Sequence, residues 1–171
     1  MQVQLLHLRA LLKYRLYIYK QVTKIMRNKT GKDRRKVSNH LVENMLDERN
    51  RILSLLLQVS AINMDKPGQE DRELLEEFCQ LLVDYIAAGH FGLYGRIAEG
   101  TERRMDITDV AKKIYPKIEF STQQALEFTE KYNNEGINNS LENLSVDLSI
   151  LGESLATRIE LEDRLISRIL S

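Results

Sequence analysis

Residues 78–100 read FCQLLVDYIAAGHFGLYGRIAEG. Apolar residues recur here at the three- and four-residue steps of a buried helix, yet the stretch also carries Asp84, His90 and glycines at 89, 92, 95 and 100, half of the eight in the chain. Each interior glycine costs a helix about 1 kcal/mol relative to alanine. Gly89, Gly92 and Gly95 fall three apart, so on a helix they trace a bare strip along one side. Such a strip suits either the close packing of a neighbouring helix or the approach of a docking partner. Asp84 lies seven residues, about two turns, before Phe91, and the two share a face. A carboxylate beside an aromatic ring can select and anchor a basic partner; an ordinary solvated aspartate and a core phenylalanine fit the same pattern.

Outward from this stretch the chain continues to read as helices. The segment is predicted to run from near Glu70 to about Glu99, capped by Gly100, and Pro67–Gly68 separate it from an earlier helix beginning at Ser38. Leu41, Met45, Leu46, Ile52, Leu53, Leu56 and Val59 form the apolar stripe of that earlier helix, with Glu48, Arg49 and Arg51 off it. Downstream, Asp106 or Thr108 can cap a short helix, DVAKKIYPKI, which Pro116 should interrupt. Ser121 and Gln124 form a capping-box pattern for a further helix ending before NNEGINNS. The last helix, after Asn139 and Glu142, can extend through Leu170 on a stripe of Leu141, Leu144, Leu148, Leu151, Leu155, Ile159, Leu165 and Ile169. Long helices joined by brief polar turns predict an all-α protein, a central four-helix bundle with short additional helices.

Composition agrees. Of 171 residues 43% are hydrophobic, with two prolines and no tryptophan, too few turn residues for a sheet protein of this length. The net charge is formally zero, but residues 1–36 hold eleven Lys or Arg against Asp33 alone, which leaves a body of about −10 under a head of about +10. Residues 3–27 place Leu5, Leu8, Leu12, Leu16, Tyr19 and Val22 at helical spacing among basic residues, and NKTGKDRRK, residues 28–36, reads as a linker. The division expected is a basic amphipathic extension over 1–36 and a helical domain over 37–171. The head is an extra helix, an extension without fixed structure, or a contact for nucleic acid or a membrane surface.

Chemistry finds little purchase. Cys79 is the single cysteine, set among Phe78, Leu81, Leu82 and Val83, which makes it structural and points to a reducing compartment such as the cytoplasm. His7, His40 and His90 are far apart, and no Glu-x-x-His, H-E-x-x-H, C-x-x-C or phosphate-binding loop occurs, so no metal, cofactor or catalytic residue is expected. Asp84 and His90 as an acid–base pair would sit on opposite sides of one helix. No apolar run reaches the roughly 20 residues of a membrane span.

FCQLLVDYIAAGHFGLY, residues 78–94, resembles the FCQ-LVDY-SAGHF-IY signature of the Rsd/AlgQ family of bacterial sigma-factor regulators. LVENMLDERNRIL, residues 41–53, is similar to that family's first bundle helix, and LSILGESLATRIELEDRLISRIL, residues 148–170, to its last. The resemblance covers roughly residues 38–171. It implies a non-enzymatic anti-sigma factor that binds the C-terminal, −35-reading domain of the primary sigma factor and limits housekeeping transcription when growth slows. Other regulatory proteins are open as partners; DNA contact by the bundle and membrane attachment are not implied. Carried onto this chain, the signature marks Asp84, Ala88, His90, Phe91 and Tyr94 as the sigma-facing surface, with Met45 and Arg49 beside them. Asp84 would pair with a sigma Arg or Lys, and Phe91 would be the apolar anchor. The chain departs from the pattern at Met45, where a relative carries tryptophan, and at Gly92 and Gly95, which replace larger residues.

Overall fold

The computed structural model describes residues 31–63, 66–89, 94, 105–132 and 141–170, with side chains described from residue 39 onward. The basic amphipathic stretch 3–27, His90, Phe91, Gly92, Gly95 and the predicted helix end at 99–100 lie outside the described residues. Four long helices carry the fold: α1 (Gly31–Ser60), α2 (Gln69–Ala88), α3 (Met105–Tyr132) and α4 (Leu144–Leu170), the last entered through a 3-10 turn at Leu141–Asn143. Each packs on its neighbours in sequence, and α4 closes back on α1. Contacts run in opposite senses along the pairs: between α1 and α4 Arg49 meets Asp163 while Leu56 meets Gly152, and between α3 and α4 Lys131 meets Asp147 while Thr122 meets Arg158. The result is an up-down-up-down four-helix bundle.

The first connection follows the turn chemistry of Pro67–Gly68. The backbone N–H of Gly68 donates to Asp71 Oδ2 at 2.8 Å, satisfying one donor at the start of α2, and Glu70 and Asp71 place negative charge in the first turn. The core is continuous, from Met45, Ile52 and Val59 through Leu75, Phe78 and Leu82 to Ile118, Phe128, Leu151 and Leu165. Phe78 meets Phe128 edge to face with centroids 5.8 Å apart. Cys79 is fully buried in this core, and burial pushes its thiol up to about 12, which leaves it protonated and inert at neutral pH.

Three sequence expectations change. Pro116 does not end a helix: α3 runs unbroken from Met105 to Tyr132 with Pro116 on its exposed side. Ser121 is accordingly not a cap but a buried mid-helix residue, whose hydroxyl donates to the Ile118 carbonyl at 2.8 Å. The first helix, in turn, starts before Ser38, so residues 31–36 of the stretch read as a linker belong to α1.

Candidate functional site

At mid-height the bundle interior is charged. Arg158 and Glu162 of α4, one turn apart, are both 0% exposed. Arg158 Nε donates to Glu162 Oε1 at 2.8 Å, and the same carboxylate accepts from the Tyr85 hydroxyl of α2 at 2.5 Å and from Arg49 Nη2 of α1 at 3.1 Å. Arg49 Nη1 reaches outward to Asp163 at 2.6 Å. From the other side Arg158 Nη1 donates to Thr122 Oγ1 at 2.8 Å, Ser121 Oγ at 3.2 Å and the Ile118 carbonyl at 3.4 Å on α3. One cluster thus ties all four helices together, and its charges balance within it.

The cluster governs its neighbours' ionisation. Burial, reinforced by the Glu162 charge, holds the Tyr85 and Tyr94 hydroxyls well above the ordinary tyrosine range, so both stay neutral. For Arg49 burial works against the charge, but the hydrogen bond to Asp163 and the carboxylate of Glu162 outweigh it and the guanidinium is held more firmly protonated. Three polar atoms here, Arg49 Nε, Arg158 Nη2 and the Tyr94 hydroxyl, are buried without a hydrogen-bond partner among the described residues.

Gly89 sits against this cluster. A Cβ there would lie 3.1 Å from Arg158 Nη2 and 3.4 Å from Glu162 Oε1. Its backbone is ordinary right-handed helix, φ −61°, ψ −50°, so the glycine is required by close approach and not by conformation. At Gly89, then, the glycine strip serves packing between helices.

The residues singled out by sequence divide accordingly. Asp84 and Ala88, one turn apart on α2, are half-buried at the margin of the bundle. Met45 and Tyr94 are buried, Tyr94 with its ring edge on Tyr115 at 6.2 Å. Arg49 lies on the inward stripe of α1 and not off it: it follows Met45 by four and precedes Ile52 by three, and it is 7% exposed. Its stem packs in the core while its guanidinium pairs with α4. Met45, Arg49 and Tyr94 are therefore interior residues, whereas Asp84 and Ala88 are partly exposed.

Sequence reasoning missed Tyr85, Arg158 and Glu162. Their signal is positional: Leu151, Leu155, Arg158, Glu162 and Leu165 keep the three–four step of a core stripe, which the charges disguised.

Among the described residues no cluster of metal-ligating side chains occurs. A shallow groove of about 210 Å³ between α3 and α4, lined by Phe128, Ile150 and Leu151, is crossed by the Lys131–Asp147 ion pair and is small for a ligand pocket. No helix among the described residues is long and apolar enough to cross a membrane.

Comparison with known proteins agrees with the bundle and its signature helix. The family model described as regulator of RNA polymerase sigma(70) subunit, Rsd/AlgQ, matches residues 24–170. The chain belongs to the Rsd/AlgQ family. Proteins named regulator of sigma D from Shigella dysenteriae serotype 1 and from Escherichia coli strain K12 are each 38% identical over 140 residues, 78% of this chain and 85% of theirs. The same holds for the protein of that name from Shigella boydii serotype 18. No solved structure matches the chain. The Rsd/AlgQ match begins inside the basic head and ends with α4, so it takes in the whole described bundle.

Proposed function

We propose that this protein is an anti-sigma factor that binds the C-terminal domain of the primary sigma factor, the part that reads the promoter −35 element, and withholds it from DNA and core polymerase. Membership of a family of sigma(70) regulators carries the reading. The fold supports it: Tyr85, Gly89 and Tyr94 anchor one side of the signature segment in the core, so Asp84 and Ala88 occupy a rigid, partly exposed face. A −35-reading domain is basic because it meets DNA phosphates. An acidic body of about −10 attracts such a domain and repels DNA itself.

In this reading Asp84 pairs with a sigma Arg or Lys, Phe91 and His90 extend the contact, and Met45, Arg49 and Tyr94 fix its shape from behind. The protein works as a stoichiometric binder in the cytoplasm, without cofactor. Calorimetric titration of the full chain with the isolated C-terminal domain of its host's primary sigma factor tests this. Saturable one-to-one binding is expected, weakened about tenfold or more by Asp84→Ala and by Phe91→Ala. No binding by the unaltered chain would overturn the function; binding indifferent to both substitutions would move the site.

A further inference from the structure

One carboxylate meets the signature helix at two points a turn apart. Glu162 Oε2 accepts from the Tyr85 hydroxyl at 2.5 Å, and Glu162 Oε1 lies 3.4 Å from where a Cβ on Gly89 would stand. Two points on one face fix both the rotation of α2 about its axis and its height against α4. Leu75, Phe78 and Leu82 bury the same helix, but apolar contacts are non-directional and accept a small turn that a hydrogen bond to a fixed acceptor does not.

The acceptor is itself fixed from the other two helices. Arg158 Nε holds Glu162 Oε1 at 2.8 Å while Arg158 Nη1 is tied to Thr122 of α3. Arg49 Nη2 of α1 holds Oε2 at 3.1 Å while Arg49 Nη1 is braced on Asp163. Asp84 and Ala88 precede Tyr85 and Gly89 by one residue each, so this half-buried pair stands about 100° round α2 from the pinned pair. A helix with its side chains has a radius of about 5–6 Å, and turning α2 by about 20° would carry the Asp84 side chain about 2 Å. A shift of that size breaks a charge-assisted hydrogen bond.

We infer, resting on the anti-sigma reading in which Asp84 pairs with a sigma Arg or Lys, that Glu162 is a positioning residue: held by Arg158 and Arg49, it sets the rotation of α2 and thereby where Asp84 meets its partner. Glu162 is fully buried and acts through Tyr85 and the helix that carries Asp84.

A double-mutant cycle in binding tests the role. The full chain, Asp84→Ala, Glu162→Gln and the two together are titrated calorimetrically with the isolated C-terminal domain of the host's primary sigma factor, each variant being confirmed folded by circular dichroism at the titration temperature. Glu162→Gln should weaken binding about fivefold on its own and at most about twofold when Asp84→Ala is present, because a carboxylate can be displaced only where there is one. Tyr85→Phe, which keeps every charge of the cluster, should show the same coupling at about two- to threefold, and it carries the cycle if Glu162→Gln does not fold. Leu75→Ala, a core truncation about 14 Å back along α2, lowers stability alone and should combine additively with Asp84→Ala. Equal losses from the cluster variants in both backgrounds, no loss in either, or coupling just as strong for Leu75→Ala would overturn the positioning role and leave the anti-sigma reading in place. No binding by the unaltered chain would overturn both.

Discussion

Arg158 and Glu162 form a buried ion pair whose stability depends on its partners. Desolvating two charges costs several kcal/mol each, and only good geometry with further hydrogen bonds offsets it. Here Glu162 accepts from Arg158, Tyr85 and Arg49, and Arg158 also donates to Ser121 and Thr122. Glu162→Ala leaves the buried Arg158 guanidinium without a counter-ion and Arg49 with Asp163 alone, and should destabilise the protein by about 3–5 kcal/mol in urea unfolding. Replacing the pair together, Arg158→Met with Glu162→Leu, should cost less than Glu162→Ala alone. Gly89→Ala sets helix propensity, a gain of about 1 kcal/mol, against a Cβ 3.1 Å from Arg158 Nη2. That nitrogen could yield only by turning a guanidinium held at Nε and Nη1, so overpacking wins and the variant should lose about 1–2 kcal/mol net, seen as a lower urea midpoint. At this scale the sequence was only half legible. The glycines announced a close approach, but what approached was a charged pair, and charge at a core position misleads any reading that sorts residues by polarity.

Helix identity was easier to read than helix boundaries. The inward stripes of α1, α2 and α4 follow the apolar period, so those elements were visible in outline. Pro116 misled because a proline costs one hydrogen bond and a clash, about 3 kcal/mol, whereas α3 buries Ile107, Ala111, Ile114, Ile118, Ala125 and Phe128 on either side of it. Tertiary packing of one continuous face outweighs that local cost. Pro116→Ala, at an exposed position, should restore the lost backbone bond and raise stability by about 1–3 kcal/mol in thermal unfolding. The far end of α3 is held differently. Lys131 Nζ donates to Asp147 Oδ2 at 2.5 Å, and the Tyr132 hydroxyl donates to the same oxygen, in the first turn of α4. Partial burial works against the Asp147 charge, but these two donors prevail and hold the carboxyl below its ordinary value. A depressed carboxylate stabilises the fold above its unfolded pKa and ceases to do so as pH falls through the folded one. Asp147→Asn should therefore be less stable than the unaltered protein at neutral pH, and the gap should close as pH drops below about 4, a trend that denaturation at stepped pH would reveal.

Over the whole molecule, the separation of charge decides what the surface can attract. Residues 1–36 carry eleven positive residues against one acid and the rest of the chain fourteen against twenty-four, a division visible in sequence before any helix is placed, whereas which acids face a partner depends on how the helices turn. If the acidic bundle is what the sigma domain meets, encounter is steered by long-range attraction and the final complex is held by short-range packing. The two contributions separate kinetically. Raising salt from about 50 to 200 mM shrinks the screening length to below about 10 Å and should slow association about tenfold or more, with dissociation little changed. Asp84→Asn should lower the association rate and flatten its salt dependence. Phe91→Ala should leave association near its original rate and speed dissociation, since it removes apolar contact made only after docking. Surface plasmon resonance across a salt series distinguishes the two variants, and a salt-independent association rate for the unaltered protein would show that the acidic body plays no part in finding its partner.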